Sequence, residues 1–474
     1  MPLNLDSKLD VVSYSHSYRD LRQLADDKTV LENPHKGWYY HFVDNSLKHG
    51  AYRDRVEKGA RFVTKGMHHV YIRFDWGDIE AEGEGILDWS EIDAILEERG
   101  ALGYKFSLRI CTFESGEVVY ATPKWVFDAG AAYTAVGDDG KSYGDGRSCV
   151  AYEPDYDDPI FLEKLDAFVA KCAEKFNNDP RIEYVDIGTF GTWGEGHTGT
   201  GSNKVFSPEV LKKHINLHLK HFTNKTVIIN DDYFEHAWKT SPEKSSELYD
   251  YCINKGLGIR DDSICVDGYV RLFGYDTMRF SPIFKHFAEN APVDIELAHV
   301  WHQTEERFKG GFPVIEALRT AHATYAGFHG YEDEWHGKNP YISDYIANRL
   351  GYWYFIDGID LGSPSSGAAE IGKIYISNRG YSKGYHRFEL KIRLTDGKGN
   401  SYTLNSESPD SRRWGAESQS VEVLRLDYRA VPAGEYTVEL GLFEGDAPIK
   451  LSIKPEYALS DGYYSLGEIL VGEL

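Results

Sequence analysis

Glu195 lies in 186-DIGTFGTWGEGHTG-199, among glycines 188, 191, 194, 196 and 199 and midway between Trp193 and His197. Glu296 lies in 292-PVDIELAHVW-301, with His299 and Trp301 just beyond it. Two carboxyl groups facing each other across a glycosidic bond, one protonated and one ionised, are the minimum equipment for splitting an acetal. The glycines let the backbone turn sharply and approach a ligand, and Trp193 is expected to desolvate Glu195 and raise its pKa toward the range of a general acid. Arg73 is expected to hold Glu296 ionised through a charge-assisted hydrogen bond. The competing reading of Glu296 is a structural ion pair with an inward arginine, Arg73 or Arg109.

What must position these groups is written in the alternation of the chain. Between residues 34 and 356, short apolar runs alternate with longer segments of helical period, the pattern of βα units around a parallel sheet. Eight runs read as strands: 37–43, 68–74, 104–110, 182–188, 225–230, 263–268, 292–297 and 325–330. The clearest helix has Asp158 as N-cap and Pro159 at its first position, and Phe161, Leu162, Leu165, Phe168, Val169, Cys172 and Phe176 are expected on one face. Helical periods near 90–99, 208–222, 242–255, 280–290 and 313–323 supply further crossovers. The expected fold is a (β/α)8 TIM barrel followed by an antiparallel β-sandwich, divided as residues 1–356 and 357–474. The stretch 111–157 is too long for a simple loop and is expected to pass over the barrel mouth.

The sandwich is read from period-two alternation. Phe388, Leu390, Ile392 and Leu394 alternate with charged residues, and Tyr436, Val438, Leu440 and Leu442 repeat the pattern. Its Tyr381, Tyr385 and Trp414 are taken as exposed aromatics.

In such barrels the chemistry sits at the C-terminal strand ends. That rule selects Arg73 and Asp75, Arg109, Glu195, Asp231 and Asp232, Asp267, Glu296, and His329 in the segment 329-HGYEDEWHG-337 with Glu332 and Glu334. This last segment gathers histidines and acids, but its spacing matches neither HExxH nor an EF-hand loop, so it reads as a substrate-contacting loop. Trp38, Trp76, Trp193, Trp301 and Trp335 read either as substrate contacts or as core packing, with Trp193 and Trp301 taken as sugar platforms, and His197, His299 and Asn230 are candidate substrate contacts.

Composition narrows the partner. The chain of 474 residues carries a formal charge of −23 and is 14% aromatic, with 33 Tyr and 10 Trp. Phosphate binding needs basic patches and none of any length appears, so nucleic acid and anionic membrane are excluded as expected partners, and an oligo- or polysaccharide fits. The cysteines, at 111, 149, 172, 252 and 265, form no CxxC pair and are expected as buried thiols. No cofactor and no metal is expected. No apolar run approaches the roughly 20 residues of a membrane span and residues 1–30 lack a signal-peptide pattern. As written, the sequence reads as cytoplasmic, with export after removal of a signal as the alternative.

The segments "NPHKGW" at 33–38 and "YIRFDWGDIEAEGEGILDW" at 71–89, with glutamates after strands four and seven, make the chain resemble the clan A glycoside hydrolases, particularly the family 42 β-galactosidase-like barrels. "DPRIEYVDIGTFGTWGEGHTG" at 179–199, "GIRDD" at 258–262 and "ISNRGYSKGYHRFELKIRL" at 376–394 are similar to bacterial barrel–sandwich proteins that carry only a domain-of-unknown-function label. The clan resemblance implies a β-linked glycan cleaved with retention, Glu195 as acid/base and Glu296 as nucleophile. The clan places asparagine before the acid/base to bind the sugar 2-hydroxyl, and here that position is Gly194. Either Asn230 or His197 binds the hydroxyl, or the pair has another role. Two alternatives follow: an inverting hydrolase pairing Glu195 with Asp232, Glu332 or Glu334, and a barrel that binds glycans without cleaving them.

Overall fold

The computed structural model describes residues 17–41, 65–115, 118–137, 150–264, 281–297, 311–328, 333–405 and 407–473. The chain divides into two compact units, residues 35–351 and residues 1–34 together with 352–474.

The larger unit is a closed barrel of parallel strands: β2 (Gly37–His41), β3 (Met67–Asp75), β4 (Lys105–Cys111), β7 (Ile182–Asp186), β8 (Thr226–Asn230), β9 (Gly258–Ile264), β10 (Val293–Leu297) and β11 (Tyr325–Phe328). Helices lie between them, among them Ser90–Gly100, Pro159–Phe176, Pro208–His221, Pro242–Asn254, Ser281–Ala288 and Phe312–Thr320. The Asp158 carboxylate accepts from the amides of Ile160 and Phe161, both at 2.9 Å, and fixes the start of its helix as the capping pattern requires. In the excursion after β4, a hairpin of β5 (Tyr133–Val136) and β6 (Ala151–Pro154) is present.

Side chains alternate across a strand, so every second residue points into the barrel. Tyr39, Tyr71, Tyr184, Ile228 and Tyr325 meet there as one buried cluster. Two positions further along their strands stand His41, Arg73, Asp186 and Asn230, all buried. The barrel axis thus changes from aromatic to charged toward the strand ends.

The sixth strand is corrected by the structure. Residues 263–268 were expected, but β9 runs Gly258–Ile264, in register with β8 and β10. The run GIRDD looks like a polar loop, yet in a barrel a strand can carry charge inward where the other strands supply counter-charges. The remaining seven strands lie within two residues of expectation wherever their ends are described, and the expected residues 42–43 and 329–330 lie outside the described residues, as do 265–268 of the sixth.

In the second unit, β1 (Tyr18–Asp20), β12 (Tyr354–Asp360), β13 (Ala369–Asn378) and β16 (Ser418–Asp427) form one antiparallel sheet. β14 (Glu389–Asp396), β15 (Ser401–Thr403), β17 (Gly434–Glu444), β18 (Ala447–Ile449) and β19 (Tyr464–Val471) form the other. The alternating residues Phe388 to Leu394 and Tyr436 to Leu442 are buried, in one core with Ile374, Ile376, Leu424 and Leu426 from the facing sheet. The described N-terminal residues were expected with the barrel. Instead β1 pairs with β12, and Leu21 and Leu24 join the sheet core. Tyr381 and Trp414, taken as exposed, are buried in this unit.

Candidate functional site

Arg260, on β9, organises the charged end of the barrel. It is fully buried, donates to Glu296 on β10, and lies 3.8 Å from Asp186, 3.8 Å from Asp294 and 3.7 Å from Asp262. Its guanidinium also stands 5.1 Å from the centre of the Tyr71 ring. Tyr71 donates to Asp186 and Tyr184 donates to Asp294 at 2.7 Å. His41 Nε2 lies 3.3 Å from the Glu296 carboxylate. The cation beside Glu296 is therefore Arg260, not Arg73 as expected. Arg73 pairs with Glu114 at 3.5 Å, because its strand, β3, borders β4, whose end leads into Glu114.

Glu195 follows β7 on a tight turn. Arg109 Nη2 lies 3.4 Å from Oε1 and His197 Nε2 lies 3.6 Å from Oε2. The Gly199 amide donates to His197 Nδ1 at 3.1 Å, so the ring's Nε2 carries the proton that faces Glu195. Arg109 also approaches Asp186 at 3.8 Å, so Asp186 lies between Arg109 and Arg260 and links the two glutamates through one ionic chain.

The turn itself is strained. Trp193 adopts φ 54° and Gly194 φ 74°, a left-handed region that costs a non-glycine residue roughly 1–2 kcal/mol. A Cβ on residue 194 would lie 2.4 Å from the carbonyl oxygen of Gly188. No side chain fits there without a shift of the backbone. The Gly194→Ala variant is expected to lose about 2–3 kcal/mol of stability and to misplace Glu195. A denaturation midpoint that does not shift would contradict this.

Charge is in surplus at this end of the barrel. Among the described residues, Arg73, Arg109 and Arg260, with the imidazoles of His41 and His197, face seven carboxyls: Asp75, Glu114, Asp186, Glu195, Asp262, Asp294 and Glu296. Even with both rings charged, the cations among these described residues number five. Burial, only partly offset by the arginines, pushes Glu114 and Asp294 up to about 7, and burial with a neighbouring carboxylate pushes Asp75 and Asp262 upward.

Glu195 goes the other way. Burial pushes it up, but the imidazole of His197 and the charge of Arg109 outweigh burial and hold it at about 2. This corrects the expectation of a raised pKa: the dominant neighbours of Glu195 are an imidazole and a guanidinium, and the Trp193 ring lies beside His197, 5.9 Å away. For His197, burial opposes the charged ring, yet Glu195 and Asp232 draw its pKa above the ordinary histidine value.

No protein-family model matches the chain and no curated protein sequence matches it. Among solved structures it is similar to the β-amylase catalytic domain of Paenibacillus polymyxa, at 12% identity over 64% of this chain and 94% of that one, TM-score 0.41. It is also similar to the β-galactosidase of the psychrophilic Marinomonas ef1, at 12% identity over 62% and 54%, TM-score 0.36. A GH5-4 broad specificity endoglucanase from an uncultured bacterium aligns at 9% identity over 69% and 96%, TM-score 0.37. Likenesses this distant carry no argument about activity. The barrel assignment rests on the closed order of its eight parallel strands.

Of the expected site residues, Glu195, Glu296, Arg73, Arg109, Trp193, His197, Asn230 and Asp232 belong to this end of the barrel. Asn230 Nδ2 donates to Asp262 at 2.9 Å, and the amide of Asp232 donates to Asn230 Oδ1 at 3.0 Å. Three tryptophans do not belong to it. Trp38 precedes the inward Tyr39, so it faces outward, donates to Ser343 O at 3.1 Å and packs on Phe328 and Trp335. Trp76 is fully buried, donates to Glu80 at 2.6 Å and stacks on Phe168. Trp335 is buried beside Trp38. His299, Trp301 and Glu332 lie outside the described residues, as do Asp267 and His329.

Sequence reasoning missed Arg260, His41, Asp186, Asp294 and Glu114. A usable signal existed for two of them: in YVDIG and VDIEL the aspartates sit at the inward period of their strands, Asp294 two before Glu296. Asp75, Cys111 and Glu114 bring three potential ligand atoms within 4.8 Å of one another, but the guanidinium of Arg73 beside Glu114 already supplies positive charge there.

Proposed function

We propose that the chain is a glycoside hydrolase acting on a β-linked oligo- or polysaccharide. The observation that carries this reading is a pair of glutamates at barrel strand ends, Glu195 after β7 and Glu296 on β10, each with its own arginine and histidine and joined through Asp186. Glu296, facing Arg260 and His41, is the nucleophile: it attacks the anomeric carbon and forms a glycosyl-enzyme. Glu195, held ionised by His197 and Arg109 in the free protein, gains a proton once substrate is bound, passes it to the departing glycosidic oxygen and then takes one from the water that releases the sugar. Arg109 orients Glu195, and Trp193 offers an aromatic face beside it. The resemblance to clan A barrels supports retention, and the C-terminal sheets are a supporting domain.

A panel of aryl β-glycosides and plant, algal and host polysaccharides tests this, with the product anomer followed by NMR. Glu195→Gln is expected to lower kcat on substrates with poor leaving groups by about 10²–10⁴-fold while substrate affinity is kept. Full turnover in that variant would remove the reading. An inverted anomer would replace retention with direct attack by water.

A further inference from the structure

We propose that the hairpin of β5 and β6 carries a second glycan-binding surface, built from Tyr120, Phe127, Tyr133 and Tyr152, which holds a polysaccharide chain outside the Glu195 turn. This rests on the glycosidase reading above and deepens it, because it makes the substrate a polymer.

A two-stranded ribbon has two faces, and its side chains alternate between them. In the register of the hairpin, the pairs Thr134 with Glu153 and Val136 with Ala151 share one face, and the pairs Tyr133 with Pro154 and Ala135 with Tyr152 share the other. The first face is fastened to the loop that follows Glu195. Buried Glu153 accepts from the Ser202 amide at 2.6 Å, and just past β6 Asp155 accepts from Lys204 at 3.5 Å. Before the hairpin, Ser115 donates to the Thr200 carbonyl at 2.8 Å and the Trp193 amide donates to the Phe113 carbonyl at 2.9 Å. A lone ribbon is marginally stable in water, so these bonds are what hold it at the strand-end side of the barrel. They also leave the second face turned to solvent, where Tyr133 and Ala135 are exposed.

On that face the rings gather. Tyr152 stacks on Tyr120 with centroids 4.8 Å apart and planes 18° apart, and Tyr133 meets both Tyr152 and Phe127 edge to face at 5.1 Å. Tyr133 is 49% exposed, and beside this group Val119 and Val150 are 39% and 47% exposed. A cluster that served only to stiffen the hairpin would close over these groups, whereas apolar surface left open in one patch marks a binding face. The chemistry of the patch selects its occupant. Three of the four rings are phenols, flat apolar bodies with a hydroxyl at the tip. That combination matches a pyranose, which presents C–H bonds on its faces and hydroxyls around its rim. Lys124 and Asp128, on the short helix that carries Phe127, neutralise each other at 2.6 Å and leave no net charge there for an ionic partner.

The location sets the length of the ligand. One face of the ribbon grips the loop after Glu195 while the other bears the rings, so a sugar on the rings and a sugar at Glu195 are held by one piece of structure. Only a chain of several sugars occupies both. Its second contact raises the effective concentration of the scissile bond at the site without taking part in the chemistry.

Affinity electrophoresis of the Glu195→Gln protein through gels containing xylan, galactan or mixed-linkage β-glucan tests this. At least one polysaccharide should retard the protein, and adding Tyr133→Ser with Tyr152→Ser should weaken that binding about tenfold. With Glu195 intact, the same pair of substitutions should raise KM for that polysaccharide by a similar factor and leave kcat and the kinetics on aryl glycosides unchanged. Tyr133→Phe, which keeps the ring, should retain most of the binding. Tyr133→Ser alone, at the half-exposed ring, replaces the double variant if that folds poorly. No retardation by any of the three polysaccharides, equal retardation of parent and variant, or a matching loss on aryl glycosides would overturn the assignment. So would a dimer in sedimentation that the tyrosine substitutions dissociate, since the face would then cover a second copy of the chain. The parent reading fails separately: no glycan would be hydrolysed, while the retardation and its loss in the tyrosine variants would stand.

Discussion

Arg260→Met is expected to cost about 3–5 kcal/mol of stability near neutral pH, the range for removing one partner of a buried ion pair. Arg260 is fully buried among Asp186, Asp262, Asp294 and Glu296, and methionine leaves all four without their shared cation. The loss should depend on pH in a set direction. Asp294 is raised by burial to about 7 even with Arg260 drawing it down. A carboxyl raised in the folded state binds its proton more tightly folded than unfolded between the ordinary aspartate range near 4 and its folded pKa. Its contribution to stability is present below that window and lost as pH rises through it. Without Arg260 the window extends further upward, so the deficit of the variant should shrink on acidification toward about pH 5 and grow above pH 7. Urea denaturation of both proteins across that range checks this. A deficit that grows on acidification would mean that the carboxyls near Arg260 are ionised through hydrogen bonds of their own.

The second large effect is on chemistry. Glu296→Ala is expected to reduce kcat by roughly 10⁴-fold, about 5.5 kcal/mol of transition-state stabilisation, if Glu296 is the nucleophile. Its effect on stability should be smaller than that of Arg260→Met, because Arg260 keeps Asp186, Asp262 and Asp294. Azide supplied in solution would then occupy the space of the carboxylate and attack the anomeric carbon directly, giving a glycosyl azide of inverted configuration with an activated aryl glycoside. The pair of variants separates two roles for the same ion pair. A purely structural Glu296 would lower stability in the alanine variant and leave kcat per folded molecule unchanged, with no azide product.

The residues expected at the site divide by the kind of reasoning that selected them. Glu195 was legible because five glycines and a preceding apolar run force a turn at a strand end, and the structure gives that turn its left-handed Trp193 and Gly194. Glu296 was legible from its place at the end of an apolar run. Trp38, Trp76 and Trp335 were chosen for residue type, and type does not report which face of a strand or helix a ring occupies. All three lie in the packed layer behind the barrel wall. Arg260 was overlooked because GIRDD has no apolar alternation, and only closure of the barrel shows that an arginine there points at four carboxylates.

By itself the sequence determined the alternating elements, the closed parallel sheet they imply, the change to period two past residue 360 and the two glutamates at strand ends, since all of these follow from local periodicity and turn chemistry. Only the tertiary structure decided which cation neutralises which acid, the attachment of β1 to the second unit, and the downward shift of Glu195. These depend on groups far apart in the chain, Arg109 with Glu195 and Arg260 with Glu296, brought within a few ångströms by the barrel. Electrostatic energy varies with that distance and with burial, and neither is encoded at any single position.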